Sequence, residues 1–258
     1  MKKNIIYFLS LIVLMACRPD RDPDPVNQII GYVDGYDEFG NELPNTNRIF
    51  ATVESSNSSA AADTSGKFVL YNYISAGPLN ILFTGDGFNV INYYVSNVGS
   101  GSIPFYLNNK DQKFKLCQPS TTVVQTLTFT TNPSLSEIKV SGKLSPAGTP
   151  EKPRGYLIFA SKSPNVSPEN YDKVFGINDK YFYFTNEEGE GLFASESETF
   201  TKSLKDLQKY GFKKGSIVYL RAYGSSIFTN AYTDLGSGKL IFPNINFLGS
   251  NVISVQVP

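Results

Sequence analysis

From Ile29 to the C-terminus the chain consists of short runs that either alternate apolar with polar positions or stay apolar, separated by Gly, Asn, Asp, Ser and Pro. "IIGYV", "RIFATVES", "KFVLYNY", "LNILFTG" and "VINYYVS" recur at roughly the 8 to 12 residue spacing of sandwich strands. Alternation at period two sends one set of side chains to a buried face and the other to water, so each run predicts a strand. The turns "DEFGNE" and "DTSG" supply Gly40 and Gly66 where positive φ is needed. A second series, "VVQTLTFT", "EIKVSGKLSP", "RGYLIFASKSP", "KYFYFT", "SIVYLRAYG" and "VISVQVP", predicts further antiparallel strands. "SLKDLQKYG" departs from the pattern: Leu204 and Leu207 at helical spacing, with Gly211 as a stop, predict one short helix at a sheet corner. The expected fold class is all-β, with two tandem β-sandwiches, residues 29–117 and 118–258, meeting near Gln118.

One longer apolar run precedes the strands. Ile5 to Ala16 is roughly a dozen residues, too short to span ~30 Å of hydrocarbon as a helix, and Lys2 and Lys3 lie ahead of it, so residues 1–16 read as a signal peptide. Leu14, Met15, Ala16 and Cys17 resemble the lipobox of bacterial lipoproteins. The resemblance implies that Cys17 becomes the N-terminus and carries lipid, with several acyl chains anchoring durably where one holds marginally. Residues 17–28 are then the lipidated cysteine and a tether; Pro19, Pro23 and Pro25 favour extended chain, and the residues after Cys17 reach roughly 35 Å. Asp20, Asp22 and Asp24, with arginines interleaved, look like the export signal of Bacteroidota-type surface lipoproteins. The implied location is the outer membrane, at the cell surface or on its periplasmic face.

Ile30, Gly31 and Val33, Asp37 and Gly40, Thr64, Gly66, Phe68 and Leu70, then Gly77, Leu79, Ile81, Gly87 and Phe88 follow one another in an order that resembles the carboxypeptidase regulatory-like, prealbumin-type β-sandwich. The match covers residues 29–107 and departs from the family at Pro78 and Leu79, where a tyrosine is usual. Within it, Gly31 would let a neighbouring chain approach, and Phe68 and Leu70 would share a core face. Thr199 to Gly224 is similar to the later strands of fibronectin type III-like domains, with Val218 where the corner tyrosine would stand, which implies an immunoglobulin-like sandwich. The resemblance implies structural or docking work rather than peptidase activity.

Composition narrows the chemistry. With 23 basic and 23 acidic residues and no net charge, the chain has no electrostatic footprint for nucleic acid. Histidine is absent, which removes histidine-dependent zinc sites and Ser-His-Asp or Cys-His catalysis. Of the two cysteines, Cys117 has no partner once Cys17 is lipidated, and in "KFKLCQP" it reads as a small buried hydrophobe rather than a reactive thiol. No cofactor or metal is expected.

Four local patterns carry candidate chemistry. "GEGLFA" has the G-x-G-x-x-A spacing of a dinucleotide loop but no strand before it or helix after it, so it reads as a hairpin turn. "SEIK" has S-x-x-K spacing, but in a strand Ser136 and Lys139 face opposite ways. "DGYDEFGNE" gathers Asp34, Asp37, Glu38 and Glu42 at spacings wrong for an EF-hand and reads as a solvated hairpin loop. In "VYLRAY" the period of two puts Val218, Leu220 and Ala222 on one face and Tyr219, Arg221 and Tyr223 on the other, a stripe able to stack on a sugar or peptide; Tyr181 and Tyr183 likewise share a face. Cross-strand tyrosine packing on a solvated sheet is the plainer reading.

The expected function is that of a non-catalytic, lipid-anchored envelope protein serving as an interaction or accessory-binding module. Resemblance to multi-sandwich lipoproteins of starch-utilisation-type uptake systems implies glycan capture, with a polysaccharide or an envelope protein as partner. A structural adhesin or assembly component is the alternative, and a carboxylate-dependent glycosidase would need two convergent acids in a cleft.

Overall fold

The computed structural model describes residues 27–44, 48–56, 58–72, 77–98, 104–176 and 194–258. Cys17, the signal segment, the tether up to residue 26, Tyr181, Tyr183 and all but the last residue of "GEGLFA" lie outside them; the last two residues expected in the tether, Asn27 and Gln28, instead pair with Asn72 and Tyr71 as the start of the first strand. Within the described residues the chain is all-β.

The first set of strands is β1 (Asn27–Tyr36), β2 (Ile49–Val53), β3 (Ser58–Ala61), β4 (Lys67–Asn72), β5 (Gly77–Gly85), β6 (Phe88–Val98), β7 (Phe105–Tyr106) and β8 (Phe114–Cys117). One sheet runs β4-β1-β7, with β8 also on β1; the other runs β3-β2-β5-β6. Strand β1 pairs with β7 through Ile29 and Ile30 and passes to β8 from Val33 onward, both parallel. Between the two, the Asn108 side chain closes the gap: Tyr32 N donates to its Oδ1 at 2.7 Å and its Nδ2 donates to Tyr32 O at 2.8 Å. The period-two pattern holds: Ile49, Ala51 and Val53 of β2 and Leu79, Ile81 and Phe83 of β5 point inward against Ile29, Val33, Phe68 and Leu70. Removing these side chains from water is the main force joining the two sheets.

What approaches Gly31 is a side chain. Phe68 stands opposite it in the β1–β4 register, and a Cβ at Gly31 would lie 2.4 Å from the Phe68 ring.

The second set is β9 (Val123–Asn132), β10 (Glu137–Ser145), β11 (Arg154–Ser161), β12 (Lys173–Phe175), β13 (Ala194–Ser195), β14 (Thr199–Lys205), β15 (Ile217–Ser225), β16 (Tyr232–Thr233), β17 (Leu240–Ile241) and β18 (Ile253–Gln256). Sheet β14-β10-β9 packs on sheet β12-β11-β15-β18, with β13 added to β11. Val124, Leu127, Ile138, Val140 and Leu144 meet Tyr156, Ile158, Ala160, Val218, Leu220 and Ala222 between them. The Phe68-over-glycine arrangement recurs here: Phe200 faces Gly142 in register, its ring 2.4 Å from where a Cβ would stand, and stacks on Tyr156 with centroids 3.6 Å apart.

The expected helix is shorter than its leucine spacing implies. Leu204 belongs to β14, and only Leu207–Tyr210 turns, as a 3-10 segment ended by Gly211 at φ 82°. Both leucines reach the core, Leu204 from the strand and Leu207 from the turn. Ser136 sits at φ 47° ahead of β10, and the "SEIK" residues that follow are extended, as their alternation indicates.

Every residue of β11 is buried, so its sheet is covered on both faces. Leu157 and Phe159 point away from the sandwich core into a further cluster with Val166, Val174, Tyr223, Ala231, Phe242 and Ile245. Much of that outer cover is the chain between Ser226 and Ser250, which outside the two-residue strands β16 and β17 forms no regular element and shows no strand or helix period.

The two strand sets share no sheet, but they are joined by a polar seam. The "DEFGN" turn is shaped by Asp37, whose Oδ1 accepts from the backbone N of Phe39 and Asn41 at 2.9 Å each, and by Gly40 at φ 86°. Its Glu38 is not solvated, contrary to expectation. Glu38 accepts from Thr121 N at 2.7 Å, Ser120 Oγ at 3.2 Å and Arg154 Nη1 at 3.2 Å, while its carbonyl accepts from Ile227 N at 3.0 Å. Phe39 covers the Arg154 guanidinium at 4.7 Å, and Tyr36 meets Phe228 edge-on at 5.1 Å. Asn230 completes the seam by accepting from Cys117 N at 2.8 Å and donating to Lys115 O at 2.6 Å.

Candidate functional site

Strand β15 places the residues of the predicted stripe. Val218, Leu220 and Ala222 enter the sandwich core, and Tyr219, Arg221 and Tyr223 emerge together on the opposite face, as alternation requires. That face is not open. Tyr223 is only 2% exposed, and its ring meets Phe159 edge-on at 5.3 Å; Phe159 in turn meets Phe242 at 5.3 Å and Tyr171 at 5.4 Å. Burial raises the Tyr223 phenol above its ordinary pKa, against the lowering effect of the nearby Arg221 charge. Tyr219 packs half-buried against the same cluster. The expectation of a stacking surface therefore fails at Tyr223, whose ring is already committed to core packing. Tyr181 and Tyr183 lie outside the described residues.

Arg221 stays at the rim. Its Nε donates to Ser250 O at 2.9 Å, and its guanidinium carbon lies 5.1 Å from the Tyr223 centroid. These contacts fix the head group while leaving the residue half-exposed.

Beside Arg221 the returning chain bulges outward. Asn246 N donates to Gly224 O and Ser250 N donates to Ala222 O, both at 2.8 Å, so the ends of the bulge are held to β15. Ala222 N also donates to Ser250 Oγ at 3.0 Å. Inside the bulge, Leu248 N donates to Asn246 Oδ1 at 3.0 Å and Gly249 N to Phe247 O at 3.1 Å. Gly249 is required by close approach, because a Cβ there would fall 2.5 Å from the Tyr223 ring and 2.7 Å from Arg221 Nε. Phe247 and Leu248 project from this tip with 64% and 66% of their surface exposed. Sequence reading missed both. The available signal was "NFLGS", an apolar pair flanked by turn-forming residues where a polar tip is usual.

This rim combines an aromatic face, an aliphatic side chain and a fixed guanidinium. Elsewhere, three of the four acids of "DGYDEFGNE" are engaged: Asp34 pairs with Lys113 at 2.9 Å, Asp37 holds its own turn, and Glu38 lies in the seam, while Glu42 is exposed. Among the described residues no group of three or more Cys, Asp or Glu converges on a common point. Cys117 is fully buried, its Sγ donating to Asp37 O at 2.8 Å, and burial pushes its thiol up to about 12, which keeps it protonated and unreactive.

No family model and no curated protein matches the chain. Among solved structures, it overlaps a DUF3823 family protein from Bacteroides ovatus ATCC 8483 at 10% identity and TM-score 0.31, over 91% of this chain and 100% of that one. A candidate carbohydrate binding protein from Bacteroides uniformis ATCC 8492 overlaps at 16% identity and TM-score 0.29, with the same coverage. A DUF3823 family protein from Parabacteroides merdae ATCC 43184 gives 11% identity and TM-score 0.29, again over 91% and 100%. The fold assignment rests on the strand pairing described above.

Proposed function

We propose that this chain is a non-catalytic interaction module of the bacterial cell envelope, anchored by lipid at Cys17 in the outer membrane and facing the cell surface. Its two strand sets, joined by the seam, hold the Phe247–Leu248 tip and Arg221 in a set position for a partner. The observation that carries this reading is the tip itself. Full burial of one Phe or Leu side chain contributes roughly 1.5–3 kcal/mol, yet here two adjacent ones stand exposed on a bulge fixed by backbone hydrogen bonds at both ends. An ordered apolar patch that folding leaves unused marks a contact surface, and ordering it beforehand lowers the entropy lost on binding.

Glycan is the ligand class the sequence resemblance favours. Phe247 offers a stacking face for a sugar ring and Arg221 offers donors for hydroxyl groups. A protein partner, as for an adhesin or an assembly component, is the second reading, favoured by Leu248, which is aliphatic and has no stacking face.

The test is binding by the full chain to a glycan array and to envelope extracts, with Phe247→Ala and Leu248→Ala alone and together. The double variant is expected to bind at least about tenfold more weakly with an unchanged melting temperature. Unchanged affinity would remove the tip from the reading, and turnover of a bound polysaccharide would overturn the non-catalytic assignment. Cys17→Ser is expected to move the protein from the membrane to the soluble fraction; retention in the membrane would contradict lipid anchoring.

A further inference from the structure

Strand β6 ends its sheet, and among the described residues it pairs only with β5. An edge strand directs every second N–H and C=O outward, and folded proteins cover such edges, shorten them or place charges on them. Among the described residues, several other edges follow that rule. Strands β3 and β12 are only four and three residues long, and β14 carries Lys202 and Lys205.

Strand β9 is long and uncharged, like β6, but it is blocked at Leu127. There Leu127 N donates to Asn251 Oδ1 at 2.7 Å and Asn251 Nδ2 donates to Leu127 O at 3.1 Å. The carboxamide occupies the place of a neighbouring strand, as Asn108 does on Tyr32 and Asn230 does beside Cys117.

Strand β6 has eleven residues, "FNVINYYVSNV", with no charge, proline or glycine. Its start is held where Asn89 Nδ2 donates to Pro243 O at 2.6 Å. Among the described residues, no carboxamide of the kind seen on β9 sits along Val90–Val98. Val90 and Tyr94 stand 52% and 43% exposed on the outer face, which they share with Phe50 of β2, two strands away and 45% exposed. Tyr93, on the inner side, packs against Phe114 at 4.6 Å yet remains 37% exposed at the open flank of the sandwich.

We propose that β6 pairs antiparallel with β6 of a second copy of this chain, about a two-fold axis crossing the strand. In an isologous pair the residues at the axis face their own copies, so any charge near the centre would oppose itself; a strand neutral throughout carries no such penalty. Two four-stranded sheets would join into one, continuing the Phe50, Val90 and Tyr94 surface across the junction and covering the Tyr93 flank. This surface is separate from the Phe247–Leu248 tip, so the two readings stand or fall independently.

The test uses the full chain in intact cells, with one cysteine introduced at Val90, Asn92, Tyr94 or Ser96 and copper phenanthroline as oxidant. The position nearest the axis is expected to give a crosslinked dimer at least about tenfold above a Thr128→Cys control on β9, because paired strands raise the local thiol concentration. Adding Tyr94→Lys to a cysteine at another position is expected to lower that yield about tenfold. Tyr94→Thr, a strand former without charge, is expected to retain it. Yields at all four positions equal to the control, or an adduct with a protein of different mass, would overturn the proposal.

Discussion

Arg154 and Glu38, 116 residues apart in the chain, meet at 3.2 Å with side chains only 9% and 10% exposed, and so tie the turn after β1 to the start of β11. Removing one partner would leave a desolvated charge, at a cost of about 3–5 kcal/mol. Arg154→Ala and Glu38→Ala should each lower the urea midpoint accordingly. The double variant should cost clearly less than the sum, since both charges leave together. Additive losses in the cycle would show that the pair contributes nothing as a pair.

Gly31→Ala and Gly142→Ala should each destabilise by about 1–3 kcal/mol, because the new methyl would have to displace the Phe68 or Phe200 ring from its packed position. Thermal unfolding would measure both. Pairing Gly31→Ala with Phe68→Leu should recover part of the loss, whereas no recovery would point to backbone strain instead.

Tyr223→Ala should destabilise the fold by about 3–5 kcal/mol, since it empties the centre of the cluster with Phe159 and Phe242. Tyr219→Ala, at the half-buried edge, should cost distinctly less. Equal losses measured by chemical denaturation would mean that the cover over β15 opens in solution.

Stability should fall in alkali. Burial raises the Cys117 thiol from 9.0 to about 12 and raises the Tyr156 phenol as well, so in both groups the folded state keeps a proton that the unfolded chain gives up. The contribution of Cys117 is fully present below about pH 9 and is lost as pH rises toward 12. Urea midpoints on either side of that range should show the decline, and Cys117→Val should make it shallower. An unchanged slope in the variant would assign the effect to Tyr156 and other groups.

Strands such as β2, β5, β10 and β15 were legible because one face of each is buried and the other is less so, which writes a period of two into the sequence. Strand β11 was legible as a strand, and its unbroken apolar run marks burial on both faces, but nothing local identifies what covers the second face. The cover is supplied by Ala231, Phe242 and Ile245, spaced without period in chain rich in turn residues. That is why the Tyr219, Arg221 and Tyr223 stripe read as open. Glu38 was misread for a related reason: its turn is local, but its buried partner lies far along the chain. Phe247 and Leu248 went unseen because residues in a bulge follow neither period.

Strand β1 is bonded on both flanks, antiparallel to β4 and parallel to β7 and then β8. Traction on the chain ahead of Asn27 would enter through this strand along its axis, nearly perpendicular to its hydrogen bonds. The bonds would then be loaded in shear, many at once, instead of peeling open one by one. A body seized at its far end would resist drag with the combined strength of that ladder.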